Sequence, residues 1–161
     1  MVRQIISGIA IAGFGLACYL LTSHFFLQTV QVVGVSMLPT LQDSQHYLLN
    51  RWIYYVREPQ AQDIVVLRDP VDDLYSVKRV IARAGESVYL KDGQVFVNGQ
   101  KLQEPYLSEH TPTYPCGHGK DQLIVCGTGS YFVLGDNRMN SADSRTYGPI
   151  QRRKILGLIV R

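Results

Sequence analysis

From Ile5 to Leu27 the chain is apolar or weakly polar throughout, without a single Asp, Glu, Lys or Arg. Wound as an α-helix, this tract would reach about 34 Å, enough to cross a hydrocarbon core of about 30 Å with some tilt. A cleaved secretory signal would carry a shorter apolar stretch, about 7–15 residues, ending at a small-residue site. Here the tract ends in Leu20-Leu21-Thr22-Ser23-His24-Phe25-Phe26-Leu27 instead. It also lacks the polar face of a helix packed at the edge of a soluble core. The pattern predicts a retained, single-span N-terminal transmembrane helix, with residues 1–28 as the anchor.

After the tract the pattern changes to short apolar runs bounded by turn residues, the signature of strands. Strands are expected over Thr29–Val33, His46–Tyr55, Asp63–Leu67, Leu74–Ala82, Ser87–Leu90, Gln94–Val97, Gln100–Leu102, Tyr131–Leu134 and Ile155–Val160. Asp92-Gly93 and Asn98-Gly99 are strong hairpin signals between consecutive runs. No long amphipathic helix is predicted outside the anchor. Residues 29–161 should therefore form one β-rich, partly barrel-like domain, curled so as to limit open edges. Within it, residues 104–129 are the least regular and read as a surface excursion.

Charge adds orientation. The amino terminus and Arg3 precede the tract, and no Lys or Arg follows it until Arg51. Basic residues favour the cytoplasmic side, so the N-terminus is expected inside and the β-domain outside. A net charge of +3 with scattered basic residues is no nucleic-acid footprint. The one cluster, Gln151-Arg152-Arg153-Lys154, reads as a solvated turn. Cys116 and Cys126, both outside the membrane on this reading, form a candidate disulfide pair; Cys18 lies in the tract. Their spacing matches no paired-cysteine zinc motif, and no metal is expected.

Three segments carry chemistry. Gly34-Val35-Ser36-Met37-Leu38-Pro39-Thr40-Leu41 places a serine in a tight, Gly- and Pro-bounded stretch. A serine hydroxyl needs a base, and His24, His46, His110 and His118 sit in no recognisable catalytic setting. Lysine serves when neutral, which burial among apolar side chains promotes. Val77-Lys78-Arg79-Val80-Ile81 supplies that setting, and strand alternation would send Lys78 inward and Arg79 to solvent. The Ser36 backbone N–H is the natural oxyanion donor. The third segment, Gly135-Asp136-Asn137-Arg138-Met139-Asn140-Ser141-Ala142-Asp143-Ser144-Arg145, is a polar loop after an apolar strand.

In this order the three segments resemble those of the type I signal peptidases, over most of the chain from about Val30 to Arg145. The resemblance implies a membrane-bound serine endopeptidase that removes N-terminal signal peptides through an acyl-enzyme, with Ser36 as nucleophile and Lys78 as general base. It implies that Ser141 hydrogen-bonds the Lys78 amine, that Asp143 and Arg145 form an ion pair holding the loop, and that Asp136 and Arg138 support it. Several relatives complete the oxyanion hole with a hydroxyl two positions before the nucleophile; here that position is Gly34. The family's Gly-x-Pro-Gly-Asp is replaced by Ala82-Arg83-Ala84-Gly85-Glu86. By motif position Val33, Met37, Leu41, Ser76 and Val77 would wall the pockets that admit only small side chains before the cut. The implied partners are secretory preproteins and the lipid bilayer, without cofactor, at a bacterial plasma membrane. Two alternatives stay open: a related serine–lysine protease with one dedicated client, and a non-enzymatic anchored β-domain that binds exported proteins.

Overall fold

The computed structural model describes residues 8, 10–19, 27–108, 111–116 and 121–160. Residues 10–19 are helical and exposed (α1). Among the described residues no helix is long and apolar enough to cross a membrane. Residues 1–7, 9 and 20–26 of the predicted anchor lie outside the described set.

Eleven strands follow among the described residues: β1 (Leu27–Gln31), β2 (His46–Asn50), β3 (Ile64–Arg68), β4 (Tyr75–Ala82), β5 (Ser87–Lys91), β6 (Gln94–Val97), β7 (Gln100–Lys101), β8 (Gln122–Val125), β9 (Ser130–Leu134), β10 (Ile150–Gln151) and β11 (Ile155–Val160). They form a seven-stranded sheet in the order β1-β2-β11-β3-β4-β9-β10 and a four-stranded sheet in the order β7-β6-β5-β8. The chain is mainly β, as its short apolar runs predict. Register shifts in β4–β9 between Val80 and Ala82, and in β11–β3 between Ile155 and Gly157, are places where the large sheet bends and curls. It stays open, with β1 and β10 as its edges.

The predicted hairpins form at Asp92-Gly93, between β5 and β6, and at Asn98-Gly99, between β6 and β7. Other expectations need correction. The run His46–Tyr55 does not continue as a strand, because Asn50 Oδ1 accepts the N–H groups of Trp52 and Ile53, each at 3.0 Å. That side-chain bond starts a helical turn, α2 (Ile53–Val56). Part of the stretch read as an excursion is strand β8, paired with β5 in the register Tyr89↔Leu123. Arg79 does not face solvent; it is 6% exposed.

Three apolar clusters hold the sheets. One gathers Val65, Leu67, Val80, Val133 and Ile155 on one face of the large sheet. A second, with Ile81, Val88, Leu90, Phe132 and Leu134, joins the two sheets. The third, with Val32, Met37, Leu41, Leu49, Val66 and Ile159, lies beneath the segment that carries Ser36. Strands β3, β4 and β9 are thus covered on both faces, which lets a lysine be buried mid-strand.

Candidate active site

Ser36 lies in a turn that follows β1. Hydrogen bonds from Leu38 N–H to Val35 O (3.2 Å) and from Leu41 N–H to Met37 O (3.0 Å) coil it tightly. Coiling turns Met37 and Leu41 into the third apolar cluster and leaves Ser36 half-buried at the surface. Gly34 has φ of +113°, a conformation that strains any side chain, so the turn asks for glycine whatever a hydroxyl there would contribute. Its N–H donates to Asp43 Oδ1 at 2.7 Å and holds that carboxyl below the usual range. The Gly34 amide is therefore committed to Asp43.

Strand β4 brings Lys78 to the same place. Its amine is 3.4 Å from Ser36 Oγ and donates to Val77 O at 3.1 Å. The residue is only 4% exposed. Burial lowers its pKa, opposed in part by the carboxylates of Asp143 and Asp69. Neither carboxylate pairs with the amine. Asp143 accepts from Arg145 Nε (2.8 Å) and Nη2 (2.9 Å) and from the Gly135 N–H (3.0 Å). Its demands are met locally, and the expected Asp143–Arg145 ion pair is present.

Asp136 and Arg138 are both buried, with different partners. Asp136 grips Arg79 through two bonds, Nε to Oδ1 at 2.9 Å and Nη2 to Oδ2 at 2.6 Å. This neutralises the charge that alternation would have sent to solvent. Arg138 pairs with Glu104 at 2.5 Å, contacts Thr113 Oγ1 and donates to Gly135 O at 2.9 Å. Ser141 is carried to the site, yet its buried hydroxyl has no hydrogen-bond partner among the described residues, Lys78 included. At Gly135 an added Cβ would overlap the Ser141 side chain and come within 2.6 Å of Ser36 O. Only glycine lets loop and nucleophile turn approach so closely. Asn137 seals the contact, its N–H donating to Ser36 O (2.9 Å) and its side chain to Val35 O (3.1 Å).

Beside Ser36 runs a cleft of about 530 Å³, lined by Val32, Val33, Leu49, Val66, Ser76 and Val77 among others. Three of the predicted wall residues, Val33, Ser76 and Val77, line it. Met37 and Leu41 do not; at 1% and 0% exposure they are core. Cys116 and Cys126 are both free, correcting the expected disulfide. The reason is placement: Cys126 is buried between the sheets, while Cys116 is exposed beside Thr146. His46 is exposed on β2, and His24, His110 and His118 lie outside the described residues.

A serine beside a buried amine, backed by a close-packed loop, suits acyl transfer. The model of the signal peptidase family, peptidase S26, matches residues 3–161 of the chain. The chain belongs to this family. It is 38% identical over 143 residues to signal peptidase I T of Bacillus subtilis, covering 86% of this chain and 74% of that protein. To signal peptidase I V of Bacillus subtilis it is 40% identical over 138 residues, covering 80% and 81%. A crystal structure of a signal peptidase I from Enterococcus faecalis superposes with a TM-score of 0.55 at 28% identity, covering 65% of this chain and 98% of that one. The chain is thus a type I signal peptidase and a serine hydrolase, which removes the non-enzymatic alternative. Sequence reasoning missed Glu104, Tyr106 and Asn137. One signal was available: an arginine followed by Val80-Ile81-Ala82 belongs to a buried run, and a buried arginine needs an acid.

Proposed function

We propose that the chain is a membrane-tethered endopeptidase that removes signal peptides by a Ser36–Lys78 dyad. The observation that carries this reading is the 3.4 Å approach of a buried lysine amine, its pKa lowered, to Ser36 Oγ. Neutral Lys78 takes the hydroxyl proton as Ser36 Oγ bonds to the scissile carbonyl carbon. The Ser36 N–H faces the developing oxyanion, and Gly34 leaves the approach open. Collapse breaks the C–N bond, and the leaving amine of the mature chain takes the proton from the Lys78 ammonium. Water, deprotonated in turn by Lys78, hydrolyses the resulting ester and frees the signal peptide.

The supporting groups divide the work. Ser141, whose buried hydroxyl has no hydrogen-bond partner among the described residues, is the group available to fix the Lys78 amine. Asp143–Arg145, Asp136–Arg79 and Arg138–Glu104 hold the loop. Val33, Ser76 and Val77 narrow the cleft and favour small side chains just before the cut, as in secretory preproteins. The apolar tract Ile5–Leu27 is the anchor, with the N-terminus on the cytoplasmic side of a bacterial plasma membrane. From Leu27 to Ser36 the chain reaches at most about 30 Å, so cleavage takes place close to the bilayer.

The test is incubation of the detergent-solubilised chain with a preprotein bearing an Ala-x-Ala site, followed by sequencing of the product's new N-terminus. One cut after that site, absent in Ser36→Ala, is the expected result. Cleavage that survives in Ser36→Ala would overturn the reading.

A further inference from the structure

Beside the catalytic lysine lies a buried network that the reaction steps do not use. Its hub is Arg79. The guanidinium makes two bonds to Asp136, one to Gln62 O at 3.1 Å, and one to Thr40 Oγ1 at 3.4 Å. Four hydrogen bonds fix the group in its plane but leave its faces open. Tyr106 covers one of them, with Arg79 Cζ 3.8 Å from the ring centroid. At that range the guanidinium sits over the electron-rich ring face, a contact that strengthens away from water. The ring is itself held: its hydroxyl donates to Glu104 Oε1 at 2.9 Å, and Glu104 pairs with Arg138.

Three partners of Arg79, namely Thr40, Asp136 and Tyr106, lead back to the reacting pair. Thr40 belongs to the nucleophile turn, and Arg79 itself follows Lys78 on β4. Asp136 sits between Gly135, packed on Ser36 O, and Asn137, which donates to it. Through Glu104 and Arg138, Tyr106 also reaches Gly135 O. Glu104, Tyr106 and Thr113 thus close a loop of contacts behind Gly135, with Tyr106 linking its two arginines.

We infer that Tyr106 is a positioning residue for the Ser36–Lys78 pair, acting by stacking on Arg79 and so fixing Asp136 and the Gly135–Asn137 backbone against Ser36. The inference rests on the dyad proposed above. Tyr106 touches neither the reacting atoms nor the cleft, so its loss changes turnover rather than substrate binding. Small misplacements of a reacting pair are costly, and the aromatic ring rather than the hydroxyl carries the effect.

Tyr106→Phe and Tyr106→Leu separate stacking from simple filling. In the full-length chain, Tyr106→Leu is expected to lower kcat about tenfold with KM nearly unchanged, whereas Tyr106→Phe keeps kcat within about threefold of the parent. Thermal melting of each variant shows whether it is folded at the assay temperature. Should the leucine variant fail that check, Tyr106→Met, a flexible filler, takes its place in the comparison. A leucine or methionine variant as fast as the phenylalanine one, or a loss confined to KM, would overturn the inference. An active Lys78→Ala would instead remove the dyad, a different outcome from an inert Tyr106.

Discussion

Lys78 meets two opposed demands. As the proposed base it must be neutral near physiological pH, whereas a free lysine titrates at about 10.4. Burial to 4% exposure acts in the required direction by disfavouring the ammonium, and it does so at the expense of stability. Because the folded value lies below the unfolded one, the penalty is complete at low pH. It is relieved as pH rises through the folded value towards about 10.4, since the native state sheds its proton first. Lys78→Met, similar in length and without charge, should therefore stabilise the inactive protein by about 1 kcal/mol at neutral pH. Urea unfolding of both proteins checks this, and a less stable methionine variant would contradict the account of burial.

Strand β4 presents Lys78 on one side and Arg79 on the other, so the amine and the neighbouring guanidinium are held apart by the peptide geometry itself. Arg79 is tolerable there only because Asp136 reaches it from the loop after β9. Asp136→Asn leaves a buried guanidinium without its counter-charge and should cost about 3 kcal/mol, read from the urea midpoint, with activity falling in parallel. Short apolar runs bounded by turn residues made β3, β4 and β9 legible, and the Asp-Gly and Asn-Gly pairs marked both hairpins. Strand β8 was not, since Gln122–Val125 is four residues long and becomes a strand only by pairing with β5. The helical turn at Ile53–Val56 was hidden by aromatic residues that favour strands, although Asn50 carried the side-chain turn signal that breaks the run.

At the scale of the molecule, three segments far apart in sequence are folded onto one point. Ser36 and Lys78 were legible because a polar residue in an otherwise apolar or tightly turned segment stands out. The partners of the loop were not, since pairing across 57 residues, as between Arg79 and Asp136, is decided by the sheet and not by local pattern. Met37 and Leu41 failed as cleft walls for the same reason: the turn's coiling buries them, and a linear motif position says nothing of that. The free Cys116 and Cys126 likewise follow from which layer each occupies. The central claim is that the buried amine of Lys78 activates Ser36, and the pH dependence of kcat/KM for the full-length chain and for Lys78→Ala tests it directly. The account predicts that the parent loses activity as acid protonates Lys78, along a limb lying below the range of a free lysine, and that Lys78→Ala is slower by about a thousandfold at every pH. A Lys78→Ala enzyme within tenfold of the parent, or a parent whose acid limb lies at about 10.4, would contradict it.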